Sequence, residues 1–484
     1  MVGGGISGLA AAHRITELLP NADLTLFEAS PRLGGLLDTF AIDGFLVERS
    51  ADNFLTKLPA AVDLCHRLGI ADELLPTDEW RRRALVVRDG KLIPIPDGFY
   101  LMAPRKLGPL LASPALSLAG KLRLLAEPLV PRRGSNSEGS DESVASFARR
   151  RLGREVFERL VQPVVAGMFT ADPEKLSMAA TMPDFLAHER ETGSLLRRRT
   201  GCFSDQLKSK APPTVPDSAD AASGARYALF AAPQAGMKRL IDALAARLPA
   251  GAARLNTAVA NVEQQSDGAW LLHSGSEHPA SSIQHSASFD AIIVALPAHA
   301  AAVLLRTAAA ELATELAAIE YAPCAIVSLG FARSQIAHPL DAFGIVVPHI
   351  EHRRIIAASF ASRKFPGRAP ANHVLIRVFI GGALQPTLVD LPDNALRQIA
   401  FDELSSLLGI TGEPVIADIA RWPRAMPQYH VGHIDRVTRI EQLAARHSDL
   451  ALAGNAYRGV GIPQCIASGE RAAEQLASLF SDKC

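Results

Sequence analysis

The chain opens Met1-Val2-Gly3-Gly4-Gly5-Ile6-Ser7-Gly8 and reaches Glu28 at the end of Ala22-Asp23-Leu24-Thr25-Leu26-Phe27, about 20 residues past the last glycine. A Gly-x-Gly-x-x-Gly loop with a carboxylate at that spacing is the pattern of a strand, a tight turn, a helix and a second strand that hold the ADP half of a dinucleotide. Gly3 permits the turn, Gly5 lets the backbone approach a pyrophosphate, and Gly8 lets the helix pack closely on the sheet with its N-terminus toward the phosphates. Glu28 stands where it accepts from ribose hydroxyls. Glycine-rich turns are common, so the loop by itself is a weak signal, and the acid after the second strand is what turns it into a dinucleotide site. Only Met1 and Val2 precede the loop, against the roughly five or six residues of an ordinary strand. The first strand is therefore stunted, or the chain starts downstream of its natural beginning.

Working outward, 484 residues at 48% hydrophobic content suit a large core and two or three domains. Fifty basic and fifty acidic residues balance, which leaves no net field to recruit nucleic acid. Cys65, Cys202, Cys324, Cys465 and Cys484 are odd in number and scattered, as free thiols in a reducing compartment are. His430 and His433 lack the carboxylate and histidine neighbours of a metal site, so no metal is expected. The phosphate loop occupies the place of a leader, so a cytoplasmic protein is expected. No apolar run reaches the 18 or so residues that cross a bilayer. The stretch Phe99-Tyr100-Leu101-Met102, Leu107 to Leu118 and Leu122-Arg123-Leu124-Leu125, flanked by Arg105, Lys106, Lys121, Arg132 and Arg133, allows two readings: a segment resting among lipid headgroups, peripheral on the cytoplasmic membrane face, or a buried helical pair.

Periodicity predicts an α/β protein in three parts. A discontinuous Rossmann-like cofactor domain takes residues 1–68, 228–305 and 425–484. It includes a helix from Gly236 to Leu248, strands at Arg254 to Val259 and Ala269 to Leu272, and a buried strand from Phe289 ended by Pro297. A mixed-sheet substrate domain takes 69–94, 196–227 and 306–424, with central strands at Ala325 to Phe331 and Val374 to Ile380. Residues 95–195 form a helical domain, the one that would meet a membrane. Its helices are expected at Ser143 to Leu152, where the serine caps, at Glu155 to Val165 and at Pro183 to Leu196. The Pro- and Ser-rich run Ser204 to Gly224 and the polar stretch Gly134 to Ser143 read as exposed connections.

The loop suits NAD and FAD equally, and the next segment separates them. Ala29-Ser30-Pro31-Arg32-Leu33-Gly34-Gly35, followed by Gly44-Phe45-Leu46-Val47-Glu48, resembles the flavin-dependent amine oxidase superfamily, in which the arginine-glycine-glycine turn continues the contact with FAD. An ordinary turn closed by Gly34-Gly35 is the plain alternative. Over nearly its whole length the chain resembles the FAD-dependent, oxygen-using protoporphyrinogen and coproporphyrinogen oxidases. The strings that carry this are Gly90 to Pro96, Gly167-Met168-Phe169-Thr170-Ala171-Asp172-Pro173 through Met178, Phe365 to Pro370, Trp422 to Tyr429, and Leu452-Ala453-Gly454-Asn455-Ala456-Tyr457-Arg458-Gly459-Val460-Gly461-Ile462-Pro463. The last also reads physically as a strand, a glycine turn and a helix from about Pro463 to Phe480, whose free N–H groups would stabilise charge on a reduced flavin.

The resemblance implies FAD contacts from Gly3, Gly4, Gly5, Ile6, Ser7 and Gly8, from Glu28, Arg32, Gly34 and Gly35, from Ser50, Ala51, Asp52 and Asn53, from Val259, from Trp422, and from Asn455, Val460, Gly461 and Ile462. Ser50 departs from the family, which has glycine there, and must avoid a positive backbone angle or bear strain. For the substrate it implies Gly167, Phe169, Ile345 and Phe360 around the macrocycle, each of which ordinary core would also explain, and Arg83 for a propionate, which a solvated basic run would also explain. It implies six-electron oxidation of a porphyrinogen by oxygen with release of hydrogen peroxide in heme biosynthesis. Aromatisation drives the reaction, and no catalytic base is nominated. Carotene desaturase, amine oxidase, nicotinamide dehydrogenase and non-catalytic porphyrin carrier are the alternatives.

Overall fold

The computed structural model describes residues 1–78, 83–133, 141–197, 230–275 and 285–480. The connection at Ser204 to Gly224, Cys202, Cys484, Arg81 and Arg82, and most of the polar stretch before Ser143, lie outside the described residues.

Val2 occupies a strand position at the start of the chain. Val2 pairs in parallel with Phe27 on one side and Val294 on the other, through Val2 N to Ile293 O and Gly3 N to Phe27 O, both 2.9 Å. It thereby joins the parallel pairs Leu26–Phe27 with Ala253–Arg254 and Ile292–Val294 with Leu450–Leu452 into one sheet. Three segments far apart in the sequence meet there. The helices Ile6–Leu18 and Ile462–Phe480 pack against each other on this sheet. A Cβ on Gly469 would meet Ser7 O at 2.1 Å, so the close crossing of the two helices depends on that glycine.

A second sheet of seven strands runs in the order Ile416–Pro427, Tyr321–Ala332, His373–Gly381, Ala357–Ser359, Gly344–Val346, Ala84–Arg88, Lys91–Pro94. Its neighbours are antiparallel except Gly344–Val346 with Ala84–Arg88. Successive side chains of a strand point to opposite faces, and the two faces differ. One carries Leu85, Ile345, Ala358, Ile376, Val378, Val327 and Leu329 and is sealed by Leu396, Ile399 and Leu404 of the helix Asp393–Leu408. The other carries Val346, Ala357, Ser359, Arg377, Phe379, Ile326, Ser328 and Trp422 by the same alternation and looks toward the parallel sheet.

The helical region packs around Phe147, Leu152, Leu160, Val165 and Leu176. Ser143 caps Val144–Leu152 by accepting from Ser146 N at 3.1 Å, as its position suggests. The helix expected from Glu155 to Val165 is interrupted: Arg154–Val156 passes into one wide turn at Phe157–Val161 before Gln162–Phe169 resumes. Pro163 is the cause, since it has no N–H to give and its ring crowds the carbonyl one turn back. Pro183–Thr192 ends four residues before Leu196 because Gly193 turns left-handed, at φ 74°. Among the described residues no helix is long and apolar enough to cross a membrane.

Candidate functional site

The glycine loop makes a cradle that no side chain fills. Gly3 adopts φ +105°, and a Cβ on Gly8 would lie 1.9 Å from Gly3 O, so turn and helix can be this close only without side chains. The helix Ile6–Leu18 has no capping side chain at Gly5 and no acid in its first turn, which leaves its first N–H groups and its dipole for an anion. A Cβ on Gly5 would meet nothing nearer than Gly35 Cα at 3.9 Å. Opposite it, Gly34 N donates to Gly4 O at 2.8 Å, and Gly34 and Gly35 have φ of 107° and 58°. Arg32 staples this turn, its guanidinium donating to Leu37 O at 3.0 Å and Gly35 O at 2.8 Å.

Glu28 closes one end. Its Oε2 accepts from Gly4 N at 2.7 Å and its Oε1 from Ser30 N at 2.8 Å, and a carboxylate has about four acceptor sites, so capacity remains for ribose hydroxyls. Val259 is half-buried on the strand Ala258–Gln264, two residues past Thr257, whose N–H donates to Glu28 O at 2.9 Å.

At the other end the turn Gly454 to Gly461 leads into Ile462–Phe480, one residue earlier than the sequence suggests. Tyr429 holds it. Its hydroxyl donates to Asn455 O at 2.6 Å and accepts from Gly459 N at 2.8 Å, while its ring stacks on His433 at 3.9 Å. Burial pushes His433 down to about 4, against the hydrogen bond it donates from Nε2 to Tyr457 O at 2.9 Å. The backbone of Tyr429 also accepts from Ser177 N at 2.7 Å. The two motifs from Gly167 to Met178 and from Leu452 to Pro463 are thus tied together through one residue.

The wall between these ends is the loop Arg49 to Asn53, gripped by the open face of the seven-stranded sheet. Trp422 Nε1 donates to Arg49 O at 2.7 Å, and the Arg49 guanidinium meets Asp418 at 2.7 Å. Arg377, 1% exposed, donates to Ser50 O and pairs with Asp52 at 3.1 Å. Lys364 Nζ reaches the same Asp52 oxygen at 2.8 Å. Burial alone would raise the Asp52 carboxyl, but Lys364 and Arg377 outweigh it and hold the group well below the ordinary carboxylate range. Glu48 behaves oppositely: burial raises it, against hydrogen bonds from Thr39 Oγ1 at 2.6 Å and Met237 N at 2.8 Å. Ser50 is not among the residues with positive φ, so the departure from glycine brings no backbone strain. Its Oγ is buried without a partner among the described residues. Ala51 is exposed beside it.

The uncapped helix, the open cradle at Gly5 and the orphaned Ser50 hydroxyl all suit a dinucleotide flavin lying along this path. Of the substrate residues, Gly167 and Phe169 end the helix Gln162–Phe169, and a Cβ on Gly167 would sit 3.7 Å from Val346 and 3.8 Å from Ala357. Ile345 and Phe360 are instead 1% and 0% exposed within the helix-sealed core. Strand alternation is the reason: Val346 and Ser359, one residue away, are the ones that face the cradle side. Arg83 donates from Nε to Asp341 O at 3.0 Å and pairs with the Asp341 carboxylate, two residues ahead of Leu85 on the sealed side. Ile345 and Phe360 therefore lie on the sealed face of the sheet and Arg83 is engaged with Asp341. Lys364, Arg377, Asp418 and Tyr429, which hold the Arg49 to Asn53 loop and the Gly454 to Gly461 turn, were not singled out from the sequence. One of them had a visible signal, an arginine inside Val374-Leu375-Ile376-Arg377-Val378-Phe379-Ile380, a run otherwise wholly apolar.

Comparison with known proteins gives the same outline. The model of the flavin containing amine oxidoreductases matches residues 6–477. The chain is similar to the coproporphyrinogen III oxidase of Bacillus subtilis (strain 168), 32% identical with 99% of this chain and 98% of that one covered. It is similar to the mitochondrial protoporphyrinogen oxidase of Nicotiana tabacum, 28% identical with 99% and 94% covered. A crystal structure from Exiguobacterium sp. 255-15, provisionally described as a protoporphyrinogen oxidase, superposes with a TM-score of 0.82 at 28% identity, covering 99% of this chain and 98% of that one.

Proposed function

The chain belongs to the flavin containing amine oxidoreductase family, and from that premise we propose that it oxidises coproporphyrinogen III to coproporphyrin III with oxygen as the acceptor and hydrogen peroxide as the second product. It is an FAD-dependent oxidoreductase acting on a porphyrinogen in heme biosynthesis. The observation that carries the finer reading is the match to the Bacillus subtilis coproporphyrinogen III oxidase, which runs through 98% of that protein.

FAD, when bound, supplies the hydride-accepting chemistry. The chain's own part is to hold and exclude. Gly3 to Gly8, Gly34, Gly35 and Glu28 would take the ADP half; Ser50 to Asn53, Trp422 and Val460 to Ile462 would border the ring. The N–H groups that open the helix Ile462–Phe480 favour negative charge beside them. Half-buried Phe379, Trp422 and Val346 on the open sheet face, with Phe169 of the helical region, would give the apolar border that a macrocycle packs on. Its propionates would stay at the polar mouth. Six hydrogens leave a porphyrinogen on aromatisation, so three turnovers and three molecules of peroxide are needed for each porphyrin.

Oxygen uptake measured side by side on both porphyrinogens, with peroxide counted, tests this. The expected result is a kcat/KM at least roughly tenfold higher for coproporphyrinogen III, with three peroxides per porphyrin. Preference for protoporphyrinogen IX, or porphyrin formed without peroxide, overturns it.

A second reading has its own observation. Leu118, Leu122, Leu125 and Leu129 are 80, 67, 43 and 84% exposed, and their spacing puts them on one side of the helix Leu118–Leu125 and the turn after it. Behind them the fully buried pair Arg151 with Glu127 anchors the segment. Lys121, Arg132 and Arg133 flank it in the sequence. We propose that this ladder rests on an anionic lipid surface.

A further inference from the structure

Arg377 is an expensive residue to place where it is. It lies in the middle of His373–Gly381, 1% exposed, where a leucine would pack the face without removing a charge from water. Such desolvation is unfavourable unless geometry compensates. Two of its three nitrogens are compensated, by Ser50 O and by Asp52. The third, Nε, has no partner among the described residues.

The orphan is not alone. Ser328 and Ser359 are the cross-strand neighbours of Arg377 on either side, which puts their Cβ atoms about 5 Å from its own. Both hydroxyls are also buried without a partner among the described residues. Three buried polar groups in one row across three strands, one of them a charged donor and two able to accept, form the environment that holds a structural water. All three face the Arg49 to Asn53 loop. The charge there is also unbalanced: Lys364, Arg368 and Arg377 surround Asp52 and Glu48.

We propose that Arg377 is a positioning residue for the flavin, gripping the Ser50 to Asp52 wall from the sheet side, and that its Nε with Ser328 and Ser359 binds an ordered water that completes the grip. The positive excess of the cluster then favours the reduced, negatively charged flavin. The inference rests on the chain holding FAD and not on the identity of the porphyrinogen. A holoenzyme inert toward every porphyrinogen would sink the proposed function and leave this one standing.

Three variants of the holoenzyme test it: Arg377→Met, Arg377→Lys and the double change Ser328→Ala with Ser359→Ala. Each is read by the FAD dissociation constant, the midpoint potential of the bound flavin and a high-resolution crystal structure. Arg377→Met is expected to loosen FAD roughly tenfold or more and lower the potential. Arg377→Lys, which keeps the charge near Asp52 but loses the fork, should restore the potential and not the affinity. The double alanine variant removes only two hydroxyls, folds, loses the water and binds FAD a few-fold more weakly. Wild-type affinity and potential in Arg377→Met overturn the positioning role. If that variant does not fold, Arg377→Lys and the double variant decide: wild-type FAD affinity in both overturns it. Density showing Ser328, Ser359 and Nε without a bound water overturns the water site.

Discussion

A single atom decides what several of these residues do. Gly8 tolerates no Cβ, because Gly3 O would lie 1.9 Å from it. Gly8→Ala should cost about 1–3 kcal/mol of stability and yield protein that purifies without yellow colour; absorbance near the flavin bands and a thermal melt check both. His433 makes a pH prediction. The unfolded chain takes up its proton at the ordinary 6.5 and the folded chain only near 4, because burial disfavours the charge. Stability is therefore complete above 6.5 and is lost as the pH falls through the folded value, on the order of 3 kcal/mol in all. Denaturant midpoints of wild type and His433→Phe at about pH 7 and about pH 4.5 should show the wild type losing more than the variant, whose ring still stacks on Tyr429 but does not titrate.

Elements transmit these local choices. The turn Gly454 to Gly461 is shaped by Tyr429, which lies two residues beyond the strand Ile416–Pro427 and binds both Asn455 and Gly459. Tyr429→Phe keeps the ring and removes both bonds, one of which leaves a backbone N–H unpaired, so a loss of about 1–3 kcal/mol is expected. A weaker grip on FAD should accompany it in a fluorescence titration. The leucine ladder makes the other prediction at this scale. Leu118→Asp with Leu129→Asp should leave the melting temperature nearly unchanged, since both side chains are already exposed, and should abolish co-sedimentation with vesicles containing phosphatidylglycerol. Binding undiminished by the pair of changes would refute the membrane reading. Elements were also legible from the sequence to different degrees. The strands Tyr321–Ala332 and His373–Gly381 announce themselves as branched apolar runs. The wide turn at Phe157–Val161 does not, because Pro163 acts on residues before it in the chain.

For the whole molecule, the cradle is built from three distant stretches, around residues 3–8, 28–53 and 454–462, and a ligand touching all three binds only the folded chain. Added FAD should therefore raise stability by roughly 2.7 kcal/mol when present at 100 times its dissociation constant. A melting temperature that ignores FAD would contradict the site.

By itself the sequence determined the glycine loop and its following helix, the acid at Glu28, the apolar strands of the parallel sheet and the helix that closes the chain. Each of these is written in local spacing: three glycines, a carboxylate at a set distance, an apolar run ended by a turn. What only the tertiary structure decided is which side of the large sheet is sealed by a helix and which holds the Arg49 to Asn53 loop. Ile345 and Phe360 match the neighbourhood of a cavity in sequence, yet a strand turns successive side chains to opposite faces. One position of alignment therefore separates the sealed core from the open wall. The same holds for Arg377, whose neighbours Ser328 and Ser359 come from the strands on either side of it in one sheet and whose partner Ser50 comes from a distant loop that closes on that sheet.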